Sequence, residues 1–158
     1  DPIVISQERI EILQQNLLLC FTGFARTASE IAVEQIANTA KNFDLLTDMA
    51  NITKDGLGLF RSSEFSMEEF GQLLSRQWRA KRKISESVTS SELDEIYQRG
   101  LEAGAYGGKL LGAGGGGFML FVADPKHHAR IRANLGEKMF VPFRFEGTGS
   151  SVVYYSHG

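Results

Sequence analysis

The sequence has very little of what builds disulfide bonds and metal sites. It contains one cysteine, Cys20, among 158 residues, and a single thiol forms neither an internal disulfide nor a four-cysteine zinc site. We therefore expect Cys20 to be a small buried apolar side chain in a protein of the reducing cytoplasm. His127 and His128 are adjacent and His157 is remote, so the histidines lack the spacing of metal ligands and no metal site is expected in this chain.

Long apolar runs and a surplus of one charge are also missing. No apolar run approaches the roughly 20 residues that span a bilayer, and the start at Asp1 lacks the basic and apolar segments of a signal peptide. The 17 basic and 19 acidic side chains give a formal charge of −2, which provides no basic surface for nucleic acid or an anionic membrane. The sequence therefore predicts neither a nucleic acid nor a membrane as partner.

What the chain does have is enough apolar material for one domain. Hydrophobic residues make up 42% of the sequence, and a chain of this length suits one domain with a sizeable core better than two. We expect a single domain over residues 1–158. Because the first residue is Asp1 and not methionine, the chain is expected to begin partway through a longer protein.

The first two thirds of the chain predict one strand followed by several helices. The apolar run Leu17–Phe21 predicts a buried strand that ends in a turn at Thr22 and Gly23. Four helices are predicted after this strand. The first is opened by the capping-box pair Thr27 and Glu30, and the second runs from Phe43 until Gly56 and Gly58 break its pattern. The pair Ser66 and Glu69 opens the third, and the fourth begins near Ser91.

The last third predicts a loop and the remaining strands. A glycine-rich loop is expected over residues 107–117, a strand over 118–123, a short helix from Pro125, and a hairpin with arms at 143–146 and 152–155. The order of strand, helices, strand, helix and paired strands predicts an α+β fold. Helices then lie on one face of a mostly antiparallel sheet, as in an elaborated split βαβ unit.

The glycine run at residues 112–117, GAGGGG, has the spelling of the dinucleotide fingerprint G-x-G-x-x-G. That fingerprint requires a strand before the glycines and a helix after them, so that pyrophosphate meets a helix N-terminus. Here a helix is expected before the loop and a strand after it. A Walker A loop requires Lys and Ser or Thr after the last glycine, where this chain has Phe118 and Met119. Both motifs are therefore disfavoured.

A third use of the glycine run follows from its backbone. Glycine N–H groups are unobstructed and glycine adopts positive φ readily, so the run can form an anion-binding concavity or let another phosphate loop approach closely. A lysine just upstream can add a positive charge. The alternatives are a flexible connection for the run and a solvated side chain for the lysine. The residues of this candidate phosphate-binding region are Lys109, Gly112, Ala113, Gly114, Gly115, Gly116 and Gly117.

Four further residues are candidates for binding the substrate. Thr22, Gly23 and Arg26 lie between a strand end and a helix start, where unpaired N–H groups and the helix dipole favour anions. Arg26 can add a bidentate contact to a sugar phosphate, although a solvated Arg26 beside a capping Thr27 remains the alternative. Lys81 extends the apolar stripe of its helix and can point into the same cleft, although a cation late in a helix also stabilises the dipole.

Residues 108–118, GKLLGAGGGGF, resemble the third conserved motif of the GHMP kinases, the family of galactokinase, homoserine kinase and mevalonate kinase. In that family the motif lies in a C-terminal domain with a ferredoxin-like fold. Residues 16–29 (NLLLCFTGFARTAS), 78–82 (WRAKR) and 104–109 (GAYGGK) resemble the branch of bacterial sugar kinases that act on D-glycero-D-manno-heptose 7-phosphate. Phe118 stands where many members have cysteine, and that branch shares the departure.

The resemblance implies half of an ATP- and Mg2+-dependent active site. In the family, the main phosphate loop and the acidic residue at the substrate hydroxyl lie in an N-terminal domain, and no Gly/Ser-rich stretch of that kind occurs here. No catalytic residue is therefore expected in this chain, which should be inactive alone and should have the N-terminal domain as its partner. The apolar surface for that partner also predicts self-association.

Other functions stay open on the sequence alone. One is a stand-alone domain that binds a phosphorylated metabolite without catalysis. Another is a kinase of a different GHMP substrate, such as galactose or mevalonate, and a third is an interaction protein that shares only the fold.

Overall fold

The computed structural model describes residues 3–23, 28–147 and 154. Three helices, a 3-10 turn and a fourth helix follow the first strand, and the other strands come after them. The elements are α1 (Gln7–Gln15), β1 (Leu17–Phe21), α2 (Ala28–Ala37), α3 (Phe43–Arg61), α4 (Met67–Lys81), a 3-10 turn (Glu86–Val88), α5 (Ser91–Glu102), β2 (Gly107–Leu110), β3 (Phe118–Val122), α6 (Pro125–Leu135) and β4 (Phe140–Val141).

The four strands form one antiparallel sheet in the order β2-β3-β1-β4. Leu17 pairs with Val122 and Phe21 with Phe118, while Gly107 also pairs with Val122 from the other side. Because β1 and β2 are both antiparallel to β3, they run parallel to each other with β3 between them. This is the split βαβ arrangement, and it confirms the predicted α+β, ferredoxin-like fold. Helices α2 to α5 all lie in the crossover from β1 to β2, where a simple split βαβ unit has one helix.

The side chains of the strands alternate between two apolar clusters, because successive residues of a strand point to opposite faces of the sheet. Leu18, Cys20, Met119 and Phe121 lie in the larger cluster with side chains of α4, α5 and α6. The smaller cluster joins Leu13, Leu17 and Val122 to aromatic and aliphatic residues of α3 and α4. The site described below lies where the strand ends of this sheet meet α2 and α4.

Local signals explain several helix starts. Ser66 Oγ accepts a hydrogen bond from the N–H of Glu69 at 3.3 Å, as the capping-box pair predicts. Asp124 caps α6 from its N-cap position, with proline as the first helical residue. Thr27 lies outside the described residues, so its predicted cap stays a prediction. No helix that the structure describes is long and apolar enough to cross a bilayer.

Two glycine predictions were wrong. Helix α3 does not end at Gly56 and Gly58 but runs to Arg61; Gly56 is buried, with the Leu73 side chain of α4 packed close to it. Residues 107–110 form strand β2 and not the start of a loop. In both places packing against α4 overrides the low propensity of glycine for regular structure.

The remaining differences lie near the two ends. Helix α1 was not predicted; its only buried residue is Leu13, so its apolar pattern is weak. The first arm of the predicted hairpin, residues 143–146, is not a strand. Among the described residues, the last strand is instead Phe140–Val141, which pairs with Leu19 and Cys20 of β1. The second arm lies outside the described residues except for Tyr154, which is exposed.

Candidate functional site

The glycine loop connects two neighbouring strands of the sheet. It spans residues 111–117 between β2 and β3, and the N–H of Leu111 donates to the carbonyl of Phe118 at 2.8 Å where the strands part. The expected helix before the loop is therefore wrong, because β2 precedes it. A strand also follows it, so the helix that a dinucleotide fingerprint requires after its glycines is not present at this point of the chain.

The backbone of the loop requires glycine. Gly112, Gly114, Gly115, Gly116 and Gly117 all have positive φ, from 70° at Gly112 to 150° at Gly116. Residues with a Cβ rarely adopt such values. No Cβ built at Gly112 or Gly117 would meet another atom within 4 Å, so conformation and not crowding explains glycine at these two positions.

Side chains from three other elements bind the carbonyl oxygens of the loop. Lys81 Nζ on α4 donates to the carbonyl of Gly112, and Gln35 Nε2 on α2 donates to that of Ala113 at 2.7 Å. The carbonyl of Gly117 accepts from both the N–H and Oγ1 of Thr22, at 2.9 and 3.0 Å. The loop is thus held by the oxygen side of its peptides.

Most N–H groups of the loop, by contrast, have no hydrogen-bond acceptor among the described residues. The N–H of Gly115 donates to the carbonyl of Val88 at 2.8 Å. The amides of Gly112, Ala113, Gly114, Gly116 and Gly117 donate to no acceptor among the described residues. Together with Leu111 and Phe118, these residues line a concavity of about 240 Å3. A shallow cup of unpaired backbone N–H groups is suited to an anion.

Two half-buried lysines add positive charge beside the loop. Lys109 lies on β2 and Lys81 near the end of α4. Burial lowers the pKa of both ammonium groups from the usual lysine value, and the charge of Lys109 lowers the pKa of Lys81 further. The two cations are therefore close enough to repel, and an anion bound between them would relieve that repulsion.

The candidates at the end of β1 meet the loop, as the antiparallel pairing of β1 with β3 dictates. Thr22 is fully buried against Gly117, and Gly23 follows with a φ of 90°. Arg26 lies outside the described residues, so its role stays a prediction. Hydrogen bonds therefore join Thr22 and Lys81 to the glycine run, while Lys109 precedes the run in β2 and lines the groove between α3 and α4.

Sequence reasoning missed two contributors to this region. Gln35 contacts Ala113 across 78 positions of sequence, and Lys138 Nζ donates to the carbonyl of Thr22 at 2.9 Å across 116 positions. No local pattern marks either residue, since a lone Gln or Lys on a helix or loop is ordinarily solvated. Among the described residues, no three His, Cys, Asp or Glu side chains gather as metal ligands.

An apolar groove adjoins the site on the side of Lys109. It lies between α3 and α4, has a volume of about 680 Å3, and is within the size range of small-molecule pockets. Lys109 is one of its lining residues, together with Met49, Leu57, Phe60, Leu73 and Leu74. Lys109, two residues before the glycine loop, thus borders this apolar groove.

Comparison with known proteins agrees with these features. The family model described as GHMP kinases C terminal matches residues 59–141. A D-glycero-alpha-D-manno-heptose 7-phosphate kinase of Campylobacter jejuni is 35% identical over 149 residues, which are 89% of this chain and 42% of that protein. A bifunctional fucokinase/GDP-fucose pyrophosphorylase of Arabidopsis thaliana is 28% identical over 86% of this chain and 13% of its own length.

A solved structure supports the fold independently. The mevalonate kinase of Methanococcus jannaschii superposes with a TM-score of 0.69 at 20% identity, over 87% of this chain and 42% of that one. At that identity the likeness concerns the fold alone. The chain spans less than half the length of each of these three relatives.

Proposed function

The chain belongs to the GHMP kinases, as their C-terminal domain, and from this we propose that it forms the C-terminal half of an ATP-dependent sugar or sugar-phosphate kinase. D-glycero-D-manno-heptose 7-phosphate is the proposed substrate. The glycine loop, with Lys109 and Lys81, is proposed to complete the site for the phosphates of ATP. Thr22, Gly23 and Arg26 are proposed to bind the sugar phosphate.

One observation carries the proposal. Five amides of the loop, at residues 112–114, 116 and 117, have no acceptor among the described residues. The carbonyls of Gly112, Ala113 and Gly117, by contrast, accept hydrogen bonds from residues outside the loop. Phosphoryl transfer is catalysed mainly by positioning and by electrostatic stabilisation of phosphate oxygens. A loop whose N–H groups have no acceptor among the described residues, with Lys81 bound to it and Lys109 just before it, can supply both.

The proposal assigns only part of the active site to this chain. We propose that the main phosphate loop and the acidic group at the substrate hydroxyl belong to an N-terminal domain, so that residues 1–158 alone do not turn over ATP. Mg2+ would be held by ATP phosphates and by groups beyond the described residues, because it prefers phosphate oxygens and a few carboxylates. The single buried cysteine suits the cytoplasmic location proposed for such an enzyme.

The choice of heptose phosphate rests on two supports. The Campylobacter jejuni protein is named for that substrate and is 35% identical over most of this chain, and the proposed sugar-phosphate residues adjoin a third lysine, Lys138. A phosphorylated sugar carries an anion beyond the one transferred, so an added cation favours it over an uncharged sugar. Fucose and mevalonate remain the competing substrates of the family.

An acceptor screen on the complete kinase tests the proposal. The enzyme containing this chain is incubated with ATP, Mg2+ and either heptose 7-phosphate, L-fucose, galactose or mevalonate, and ADP release is measured. We expect heptose 7-phosphate to give a kcat/KM at least about tenfold above the others, a modest discrimination for a charged group. Turnover with another acceptor and none with the heptose phosphate would refute the substrate assignment.

The isolated chain is the control for the divided site. Residues 1–158 should release no ADP under the same conditions and should regain turnover only together with the missing half. Mg2+-dependent ATP turnover by the isolated chain, at a rate comparable to the complete enzyme, would refute the assignment of the catalytic groups to an N-terminal domain.

A further inference from the structure

We propose that Gln35 is a positioning residue that aims the N–H groups of the glycine loop, which deepens the proposed function by naming what holds its phosphate-binding loop in shape. Gln35 lies on α2, far from the loop in sequence, and its amide nitrogen lies 2.7 Å from the carbonyl oxygen of Ala113. It touches the loop and not the proposed phosphate. Its effect on binding therefore acts through the backbone.

The geometry of a peptide explains how this works. In a trans peptide, the carbonyl of one residue and the N–H of the next point in opposite directions. Gln35 draws the carbonyl of Ala113 toward α2, so the N–H of Gly114 points away from α2. Lys81 does the same to the carbonyl of Gly112 and thus to the N–H of Ala113. Two successive amides are aimed by two side chains.

Without the hydrogen bonds from Gln35 and Lys81, we expect the loop to adopt several conformations. Glycine loses more conformational freedom on ordering than any other residue, and open space surrounds Gly112 and Gly117. At Gly114 the backbone instead packs against Val88, where an added Cβ would lie 3.0 Å from the Val88 Cα. Gln35 and Val88 therefore contact the same stretch of loop, at Ala113 and at Gly114.

Helix α2 is itself fastened to that segment by polar side chains. Ser87 Oγ donates to Glu34, next to Gln35, and the Asn38 and Asn42 amides both donate to the carbonyl of Ile84, at 3.1 and 3.2 Å. The hydrogen bond to Ser87, ahead of that to Ser85, lowers the pKa of Glu34, so the carboxylate stays ionised and accepting at neutral pH. This network fixes the position from which Gln35 reaches Ala113.

The test compares Gln35→Met with a matched control. Gln14→Met removes a hydrogen bond of the same kind, from Gln14 Nε2 to the carbonyl of Phe143 at 2.8 Å, together with one that Gln14 Oε1 accepts from the N–H of Phe145 at 3.0 Å; both lie at the end of β1 away from the glycine loop. Sulfate, a tetrahedral dianion, is titrated into the 158-residue chain, and amide shifts of the loop glycines are followed by NMR. We expect Gln35→Met to weaken sulfate binding by about threefold to tenfold, the worth of one hydrogen bond, and Gln14→Met to leave it unchanged.

A second variant gives a readout that a purely structural role would not move. In Gln35→Glu, an ionised carboxylate cannot donate to Ala113, whereas the protonated acid can. Sulfate keeps its charge in this range, so binding by Gln35→Glu should recover relative to wild type as the pH falls toward about 4.3, the ordinary pKa of glutamate. Gln14→Glu should show no such recovery. This variant also decides the matter if Gln35→Met does not fold.

The outcomes separate the two proposals. If the wild-type chain binds sulfate at the loop and both Gln35 variants bind it equally well at neutral pH, the role of Gln35 is refuted and the phosphate loop stands. If sulfate leaves the loop amides of the wild-type chain unshifted, the phosphate loop itself is refuted, and the role of Gln35 falls with it.

Discussion

Two groups of glycines lie within eleven positions of one another and serve opposite physical needs. In β2, a Cβ at Gly107 would collide with the carbonyl of Gly71 on α4, and one at Gly108 would lie 2.5 Å from the carbonyl of Leu120. In the loop, Gly112 and Gly117 have open space around them and positive φ values of 70° and 96°. The first group is glycine for lack of room, and the second for backbone conformation.

The difference shows that neighbouring glycines in one stretch of sequence can be required for different physical reasons. The close packing of α4 on β2 stabilises that region. The loop instead depends on a backbone conformation that residues with a Cβ rarely adopt. Substitutions in the two groups should therefore fail in different ways. The first should lose stability, and the second should lose binding at a smaller cost in stability.

Gly107→Ala should have the largest effect. The added Cβ meets the backbone of Gly71 and also Ser75 Oγ at 2.5 Å, and a helix and a strand must separate to admit it. We expect a loss of about 3 kcal/mol or more in the free energy of unfolding, at or above the usual cost of overpacking, measured by urea denaturation.

Gly58→Ala is the matched control for that substitution. Gly58 lies inside α3 with no atom within 4 Å of its would-be Cβ, so alanine should stabilise the helix by up to about 1 kcal/mol. Equal stability losses at Gly107 and Gly58 would show that α4 does not pack on β2 as closely as described.

Ser75→Ala should have the second largest effect, and it tests the same packed region through its polar side. Ser75 Oγ accepts hydrogen bonds from Tyr97 Oη at 2.8 Å and from the N–H of Gly108 at 3.2 Å, both in buried surroundings. Alanine leaves two buried donors without an acceptor, which should cost about 1–3 kcal/mol in unfolding experiments. Ser62→Ala removes an exposed acceptor for the N–H of Glu64, and a loss as large there would contradict this explanation.

Gly112→Ala should cost less stability but should impair binding. Its φ of 70° is nearly that of Gly136, 67°, and neither would-be Cβ meets an atom within 4 Å. Each alanine variant should therefore lose at least about 1–2 kcal/mol in stability, because residues with a Cβ disfavour positive φ; the loss at Gly136 should be the larger, since its ψ of −134° lies outside the left-handed helical region. Only Gly112→Ala should also weaken sulfate binding in an NMR titration, because Gly136 caps α6 outside the loop. Equal weakening in both variants would contradict the loop as an anion site.

This contrast also explains how far sequence reasoning reached. The strands Leu17–Phe21 and Phe118–Val122 and the cap at Ser66 were predicted because their signals are local: an apolar run, or a hydroxyl three residues before an acid. Strand β2 was not, because Gly107 and Gly108 have little strand propensity and are in a strand through packing on α4.

The residues of the candidate site likewise differ in whether a local sequence pattern marks them. The glycine run and Lys109 are adjacent in sequence, so a motif was enough to single them out. Gln35 and Lys138 reach the site only through the fold, across 78 and 116 positions. Lys81 lies between these cases, since its place on the apolar stripe of α4 predicted its direction but not its bond to Gly112.

Lys109→Met should have the smallest effect on stability and the opposite sign. Burial lowers the pKa of Lys109 in the folded state, so at neutral pH the folded state bears the cost of a partly desolvated charge. As the pH rises, the folded state loses its proton first; the unfolded state then binds more protons, and stability rises between the lowered pKa and the ordinary lysine pKa of about 10.4. Methionine carries no charge, so the variant has neither this cost nor the pH dependence that follows from it.

We therefore expect Lys109→Met to be more stable than wild type at pH 7 by about 0.5 kcal/mol, a small value because water screens a half-buried charge, and to gain less stability at alkaline pH. It should nevertheless bind sulfate about tenfold more weakly, since a hydrogen bond to a charged group contributes about 1.5–3 kcal/mol. Lys54→Met is the control, because Lys54 lines the same groove but is exposed. Higher stability together with weaker sulfate binding in Lys109→Met would show that Lys109 contributes to anion binding and not to stability. Lower stability would show that Lys109, like Gly107 and Gly108, contributes to the packing of β2.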